Sequence, residues 1–447
     1  MLAQLAEVLR ARTSPERVVT SGPAFDACCA VWNGAVSHRP AVILRCADAA
    51  DAQAGVRAAR ELGVPLSVRG GGHGWTGSAL SDGGLTLDLS AMRGVAVDRA
   101  AGVAHVRGGA TSGDLVRATE PHGMVAVTGT VGAVGMVGLS LGGGYGPLSG
   151  RFGLAADNVL AVDVVLADGS LVTADAQREP ELFWALRGGG ANFGVVTGMR
   201  VALHAAPAVL GGRILFPWDR AAAVLDSLDE ILRHGPDELT VQCGIVTGPD
   251  GKPVVFVGPT WCGDAADGAR ALDRLADLGD PFVSAVGPVS LSATLDRADT
   301  MFPFGRRTEI RPRTVPGLTR GVVDALVAGG DRRTSRLSAV SLHCLHGAAA
   351  RIPVGDTAFA ARTPHLVVEN VAIWEPGDSA EASHRRWARD LSDALAGESL
   401  PGGYTNLLAA DESDQIAHAY GPNRERLLAA KNTYDPDGVF HATPLPV

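Results

Sequence analysis

At 447 residues the chain is too long for one ordinary hydrophobic core, so two domains are expected. A hydrophobic content of 46% excludes a disordered chain, and a net charge of -9 without any basic tract excludes a nucleic-acid partner. Glycine is over-represented, at 57 residues, and it gathers in the triplets Gly70–Gly72, Gly142–Gly144 and Gly188–Gly190, the mark of backbone built to touch a ligand.

The six cysteines form no CxxC pair and the twelve histidines no HExxH pattern, so reduced thiols and no metal site are expected. Met1–Arg12 reads as the start of a helix, not as a signal peptide, and no apolar run is long enough to span a bilayer. A cytoplasmic protein with no membrane partner is expected; nothing in the sequence sets its oligomeric state.

In chain order, Ala41–Leu44 reads as a strand. Ala49–Leu62 has apolar residues at helical spacing and stops at Gly63, a C-terminal cap signal. Pro65–Val68 is a second strand, which makes a parallel crossover unit. Leu85–Leu89, Val95–Asp98 and Ala104–Arg107 are further strands, and Thr111 caps a helix running to Thr119. Val162–Leu166 and Ser170–Thr173 flank Asp168-Gly169, a strong hairpin turn. Leu182–Leu186 is a short helix and Val195–Leu203 a strand. From about residue 205 to 400, the helices Ala221–His234 and Ala265–Leu278 alternate with strands such as Val254–Val257 and His365–Ile373. That pattern predicts an antiparallel sheet with helices on one side, and an α+β fold class.

Three stretches carry chemistry. In Val68–Gly74 a strand runs into a glycine loop, whose successive N–H groups form a nest for an anion such as pyrophosphate. No helix of the right pattern follows, so it is not a nicotinamide dinucleotide fingerprint. His73 at its end reads, taken alone, as a structural histidine; the glycine triplet before it argues for a large ligand on the backbone. Between Gly129 and Gly146 the glycines are again too many for a bland loop, since each costs conformational entropy. Backbone packed on a flat ring and a phosphate chain would require them. Asp157-Asn158 and Phe183–Thr197 form the third stretch.

Taken together and in order, these motifs resemble the berberine bridge enzyme-like FAD-linked oxidases, within the vanillyl-alcohol-oxidase, PCMH-type FAD-binding fold group. The resemblance runs through Trp32-Asn33, Arg69–His73, Leu141–Gly146, Gly153–Asn158 and Phe183–Thr197. It resumes at Tyr404-Thr405-Asn406, Tyr420–Asn423, Lys431 and Tyr434–Phe440, and is weakest between about 205 and 340. It implies a two-part FAD-binding domain over 1–204, an α+β substrate-binding domain over 205–400 on an antiparallel sheet, and a C-terminal segment, 401–447, returning to the first domain.

The resemblance places FAD covalently on His73. The family's second attachment point falls on Val131, which cannot form a thioether, so a single link is implied. The cofactor contacts implied are Val68, Arg69, Gly70, Gly71, Gly72, His73, Gly74 and Ser78; Gly129, Thr130, Gly135, Gly138, Leu141, Gly142, Gly143, Gly144 and Gly146; Val195 beside the adenine; and Tyr404 with Asn406. Val134 matches the residue bordering the oxygen pocket, which implies O2 as acceptor. Tyr404 is either a base that takes the substrate hydroxyl proton, with a pKa depressed below about 10, or a packing residue against the ring.

On the strand His365–Ile373, period 2 puts His365, Val367, Glu369, Val371 and Ile373 on one face. Glu369 is a second base candidate if that face lines the site, although residue statistics favour a solvated Glu369 and a surface His365. His343 and His346 read as pocket residues or as satisfied polar groups. The activity implied is hydride transfer to flavin N5 from an alcohol, hemiacetal or related activated C–H group of a carbohydrate or secondary metabolite, with O2 restoring the flavin and releasing H2O2. A dehydrogenase or oxidative cyclase using another acceptor, and a flavin-binding protein without turnover, are the alternatives.

Overall fold

The computed structural model describes residues 2–206 and 209–446. The helix Ala49–Leu62 begins at Asp48, whose carboxylate accepts from the Asp51 N–H, and ends where Gly63 turns left-handed at φ +60°. Its apolar face, Ala52, Val56 and Ala59, packs on Leu44 and Leu87 of the first sheet. The strands on either side of it, Val42–Arg45 and Leu66–Arg69, are parallel, as a crossover unit requires. They are not neighbours, because Leu85–Asp88 lies between them and pairs with both. Val18–Val19 adds an antiparallel edge.

A second sheet of five antiparallel strands runs in the order Val95–Asp98, Val103–Arg107, Val195–Ala202, Val159–Val165, Leu171–Ala174. The helix Ser112–Thr119 starts with a capping box in which Thr111 and Asp114 exchange hydrogen bonds. Thr111 also bridges Gly135, which ties the second glycine-rich stretch to the start of this helix.

The third sheet has seven antiparallel strands: Val283–Pro288, Val209–Phe216, Pro253–Cys262, Leu239–Thr247, Ala339–Leu345, His365–Trp374 and Arg307–Val315, in that order. Alternation along His365–Trp374 sorts its side chains. Leu366, Val368, Ala372 and Trp374 enter a core shared with the helices Ala221–His234, Arg320–Asp331 and Glu381–Leu395. Val367, Glu369 and Val371 point the other way, into a cavity. The expectation of a solvated Glu369 and a surface His365 is therefore overturned. His365 is 3% exposed, and the Glu369 side chain 20%, because the face opposite the helices is covered by the glycine-rich half of the chain.

The C-terminal stretch crosses back. The Leu400 N–H donates to Thr314 in the large sheet, whereas Tyr420, Leu427 and Ala430 pack with Phe183 and Trp184 beneath the five-stranded sheet. Lys431 Nζ donates to the Asn192 carbonyl at 2.8 Å. Among the described residues no helix is long and apolar enough to cross a membrane, and no group of three His, Cys, Asp or Glu side chains is placed to hold a metal ion. All six cysteines are free, and five of them are buried.

Candidate active site

A cavity of about 360 Å3 lies between the glycine loops and the open face of the seven-stranded sheet. One wall is backbone. Gly71 meets Gly135 so closely that a Cβ on Gly71 would stand 2.4 Å from the Gly135 nitrogen, and one on Gly135 would stand 2.6 Å from the Gly71 nitrogen. Two loops can touch main chain to main chain in this way only through glycine. Val68, Gly70, Gly71, Gly72, Gly74 and Ser78 line the cavity from the first loop, and Gly129, Thr130, Val131, Val134, Gly135 and Gly138 from the second.

Arg69 does not line it. Its guanidinium turns away to Asp88 Oδ2 at 3.2 Å and to the Ala30 carbonyl at 3.1 Å, since the strand's alternation sends it under the sheet. Among the described lining residues there is no Lys, Arg or Asp, and Glu369 carries the only formal charge. An anionic cofactor would be held here by backbone N–H groups and uncharged side chains such as Ser78 and Thr130, not by basic side chains.

His73 sits where the two walls meet. Its imidazole stacks on Trp32, with ring centroids 4.7 Å apart and planes 17° apart, and receives the edge of Phe304 at 5.7 Å. Burial pulls its pKa down to about 4, and a hydrogen bond with its own backbone offsets this only in part, so the ring is neutral at pH 7. His73 Nε2 is buried and has no hydrogen-bond partner. An unpartnered buried nitrogen on a cavity wall is open to a group bound in the cavity.

Tyr404 and Asn406 close the opposite end. The Tyr404 phenol oxygen accepts from the Gly144 N–H at 3.1 Å and from Asn406 Nδ2 at 2.9 Å. The expected depression of its pKa is not found. Burial pushes it up to about 12; the two hydrogen bonds pull the other way, and the charge on Glu369 raises it further. The phenol is protonated at neutral pH, and with both approaches to its oxygen taken by donors, its own O–H is free for a molecule in the cavity. Glu369 Oε1 lies 3.3 Å from His343 Nε2, and Gln242 Nε2 reaches Ser341 Oγ at 2.8 Å. The strand registers Gln242↔His343 and Ser341↔Glu369 gather this polar cluster from three strands.

Leu141, Gly142, Gly143, Gly144, Gly146 and Val195 lie outside the cavity wall, contrary to expectation. Val195 is wholly buried and pairs with Val165. The Leu141–Gly146 glycines are needed for protein contacts: a Cβ on Gly142 would stand 2.1 Å from Asn406 Oδ1, one on Gly143 2.8 Å from the Phe359 ring, and one on Gly146 1.7 Å from the Thr128 carbonyl. That run seats Tyr404 and Asn406. His343 lines the cavity, whereas His346 is buried against Gly150.

The FAD binding domain family matches residues 40–175, and the family described as berberine and berberine like matches residues 403–444. (R)-6-Hydroxynicotine oxidase of Paenarthrobacter nicotinovorans is 32% identical over 432 residues, covering 93% of each chain. This chain belongs to the berberine bridge enzyme-like FAD-linked oxidoreductases. The crystal structure of 6-hydroxy-D-nicotine oxidase from Arthrobacter nicotinovorans matches the fold of this family member with a TM-score of 0.86 at 30% identity, over 96% of this chain and 97% of that one. Xylooligosaccharide oxidase from Myceliophthora thermophila C1, in complex with xylobiose, matches with a TM-score of 0.83 at 25% identity, over 99% of both chains.

Several residues of this FAD-linked oxidoreductase's cavity escape the sequence reading. Tyr145 packs its ring against Tyr404 at 4.8 Å, and its hydroxyl lies 2.6 Å from His365 Nε2. His365 Nδ1 lies 2.7 Å from the Thr363 carbonyl, which fixes the ring so that Nε2 accepts from Tyr145. The one available signal was a large aromatic inside a glycine run, Gly144-Tyr145-Gly146. Trp75, Phe302 and Ile310 also line the cavity and carried no local signal.

The segment bearing Tyr404 is held by a titrating group. Glu412 accepts from the Ala409 N–H at 2.7 Å and from Gln415 Nε2 at 3.1 Å. Burial raises its pKa to about 7, with Arg311 and Arg313 lowering it and Asp411 raising it. The folded protein thus keeps a proton that the unfolded chain releases above its ordinary value of 4.5. Its contribution to stability is complete below that value and is lost as pH rises through about 7. Glu412→Gln is expected to flatten this part of the pH dependence and raise Tm at pH 8 by roughly 2 °C, read by thermal unfolding from pH 4.5 to 8.

Proposed function

We propose that this FAD-dependent oxidoreductase is an oxidase with one covalent link to its cofactor, at His73, acting on an alcohol, hemiacetal or related activated C–H group of a secondary metabolite or carbohydrate. The observation that carries this reading is the Tyr404 phenol and the Glu369 carboxylate facing one cavity that ends at the unpartnered His73 Nε2. FAD, when bound, supplies the hydride acceptor and passes the electrons to O2. The chain supplies the rest. Val68–Gly74 and Gly129–Gly138 offer backbone N–H groups to the diphosphate. Tyr404 donates its O–H to the substrate heteroatom and orients the reacting carbon. Glu369, paired with His343, takes up the proton that the substrate hydroxyl gives off.

Val131, in the place of the second attachment point, leaves His73 as the sole anchor, and the small Val134 side chain on the cavity wall supports access for O2. The relatives named above as oxidases of 6-hydroxynicotine and of xylooligosaccharides bracket the substrate class. Most of the non-glycine wall is apolar, Trp32, Trp75, Phe302, Ile310, Val371 and Leu407 among its larger side chains, which favours a compact secondary metabolite over an extended sugar chain. Screening such compounds anaerobically should find one that bleaches the flavin, with air restoring the colour and releasing one H2O2 per turnover. Flavin that stays bleached in air and is restored only by an added quinone would make the protein a dehydrogenase.

A further inference from the structure

Trp32 and Asn33 take no part in the chemistry above, yet they join the two halves of the protein at His73. The Trp32 N–H donates to the Gly72 carbonyl at 2.9 Å, which ties it to the loop carrying His73. Its indole Nε1 donates to the Phe302 carbonyl at 2.9 Å, and its own carbonyl accepts from the Gly305 N–H at 3.1 Å. The Gly34 N–H donates to the Arg306 carbonyl at 2.8 Å, and the Asn33 side chain exchanges hydrogen bonds with the Thr308 main chain at 2.8 and 2.9 Å. A Cβ on Gly34 would stand 2.1 Å from the Gly305 carbonyl oxygen, so the two segments touch along their backbones. The residues 302–306, which follow the helix Leu291–Met301, are thereby strapped across the His73 loop.

This strap delivers Phe304. The residue is 45% exposed, unusual for a phenylalanine, and its ring stands at 89° to the His73 imidazole with centroids 5.7 Å apart. On its other side His73 lies flat on Trp32. The imidazole is therefore held by two aromatic rings and by no polar side chain, which fixes its plane and leaves Nε2 unpartnered.

We infer that Trp32 and Phe304 are positioning residues for covalent flavin attachment: the strap from the substrate-facing half completes the site in which His73 is linked. The inference rests on the single-link reading of His73. Attachment replaces one C–H bond of the flavin C8 methyl by a C–N bond to the imidazole. The methyl and the imidazole each give up one hydrogen, and dioxygen takes both up, with two electrons, as H2O2. The step needs a neutral ring whose nitrogen is aimed at the methyl carbon, and a freely rotating imidazole would seldom meet that condition.

The test is the linked share of flavin in purified holoenzyme, and its growth on incubation with FAD in air, read by flavin fluorescence of the denatured chain on a gel beside total flavin per chain. Phe304→Ala is expected to link roughly three- to tenfold more slowly, the range a lost aromatic pair supports, and Trp32→Ala more slowly still. Both keep total flavin close to one per chain, and Trp32→Phe, which restores a stacked ring, recovers most of the rate. Variants that link as fast as the unaltered protein would overturn the inference, and so would total flavin falling in step with linked flavin, which would mark the strap as a general binding element. Failure of the unaltered protein to show any linked flavin would instead overturn the reading of His73.

Discussion

Replacing Tyr404 with phenylalanine is expected to slow flavin reduction by a true substrate roughly 10²- to 10³-fold while flavin content stays unchanged. The Tyr404 hydroxyl is the group that Gly144 and Asn406 hold in place, and it is protonated because burial lifts its pKa to about 12. In the proposed mechanism it is a donor that orients and polarises the substrate, and no rise in rate from its ionisation is expected between pH 6 and 10. Phenylalanine keeps the ring contact with Tyr145 but leaves the Gly144 N–H without its acceptor, at a cost of about 1–3 kcal/mol, while the Asn406 amide keeps the Leu139 carbonyl at 3.2 Å. Anaerobic stopped-flow reduction measures the effect. An unchanged rate would leave Tyr404 as a packing residue and return the chemistry to Glu369 alone.

Gly71→Ala is expected to lower bound flavin at least about tenfold, through overpacking of a backbone contact that cannot yield. The added methyl would stand 2.4 Å from the Gly135 nitrogen and 2.8 Å from the Ala133 carbonyl oxygen, both main-chain atoms. Relief requires the two glycine loops to part, and these loops form one wall of the cavity proposed to hold the cofactor. Gly287→Ala is the matched control, because a Cβ there meets nothing within 4 Å. Flavin absorbance per chain after gel filtration distinguishes the two. Equal flavin in both variants would show that the contact between the loops does not shape the cofactor site.

Much of the fold was written in local signals. Gly63 ends one helix in sequence and in structure, Thr111 caps another, and the alternation along His365–Trp374 sorts core from cavity. Which elements meet is a matter of register, and spacing along the chain does not carry it. Glu369 finds His343 and Gln242 only because three strands align Ser341 with Glu369 and Gln242 with His343. The Leu141–Gly146 run misled for a physical reason. A glycine that admits Asn406 or Phe359 looks, in sequence, the same as one that admits a ligand. Tyr404 lines the cavity, but its proton affinity depends on burial, which its motif does not encode.

In the proposed enzyme His73 alone holds the flavin by a covalent bond. This assignment rests on the unpartnered Nε2, on the neutral ring and on Val131 in the place of the second anchor. Acid precipitation of the purified protein tests it most directly. The yellow chromophore should stay in the pellet at one flavin per chain, and His73→Ala should move all of it to the supernatant. Flavin released to the supernatant from the unaltered protein, or retained in the pellet by the His73→Ala variant, would contradict the account.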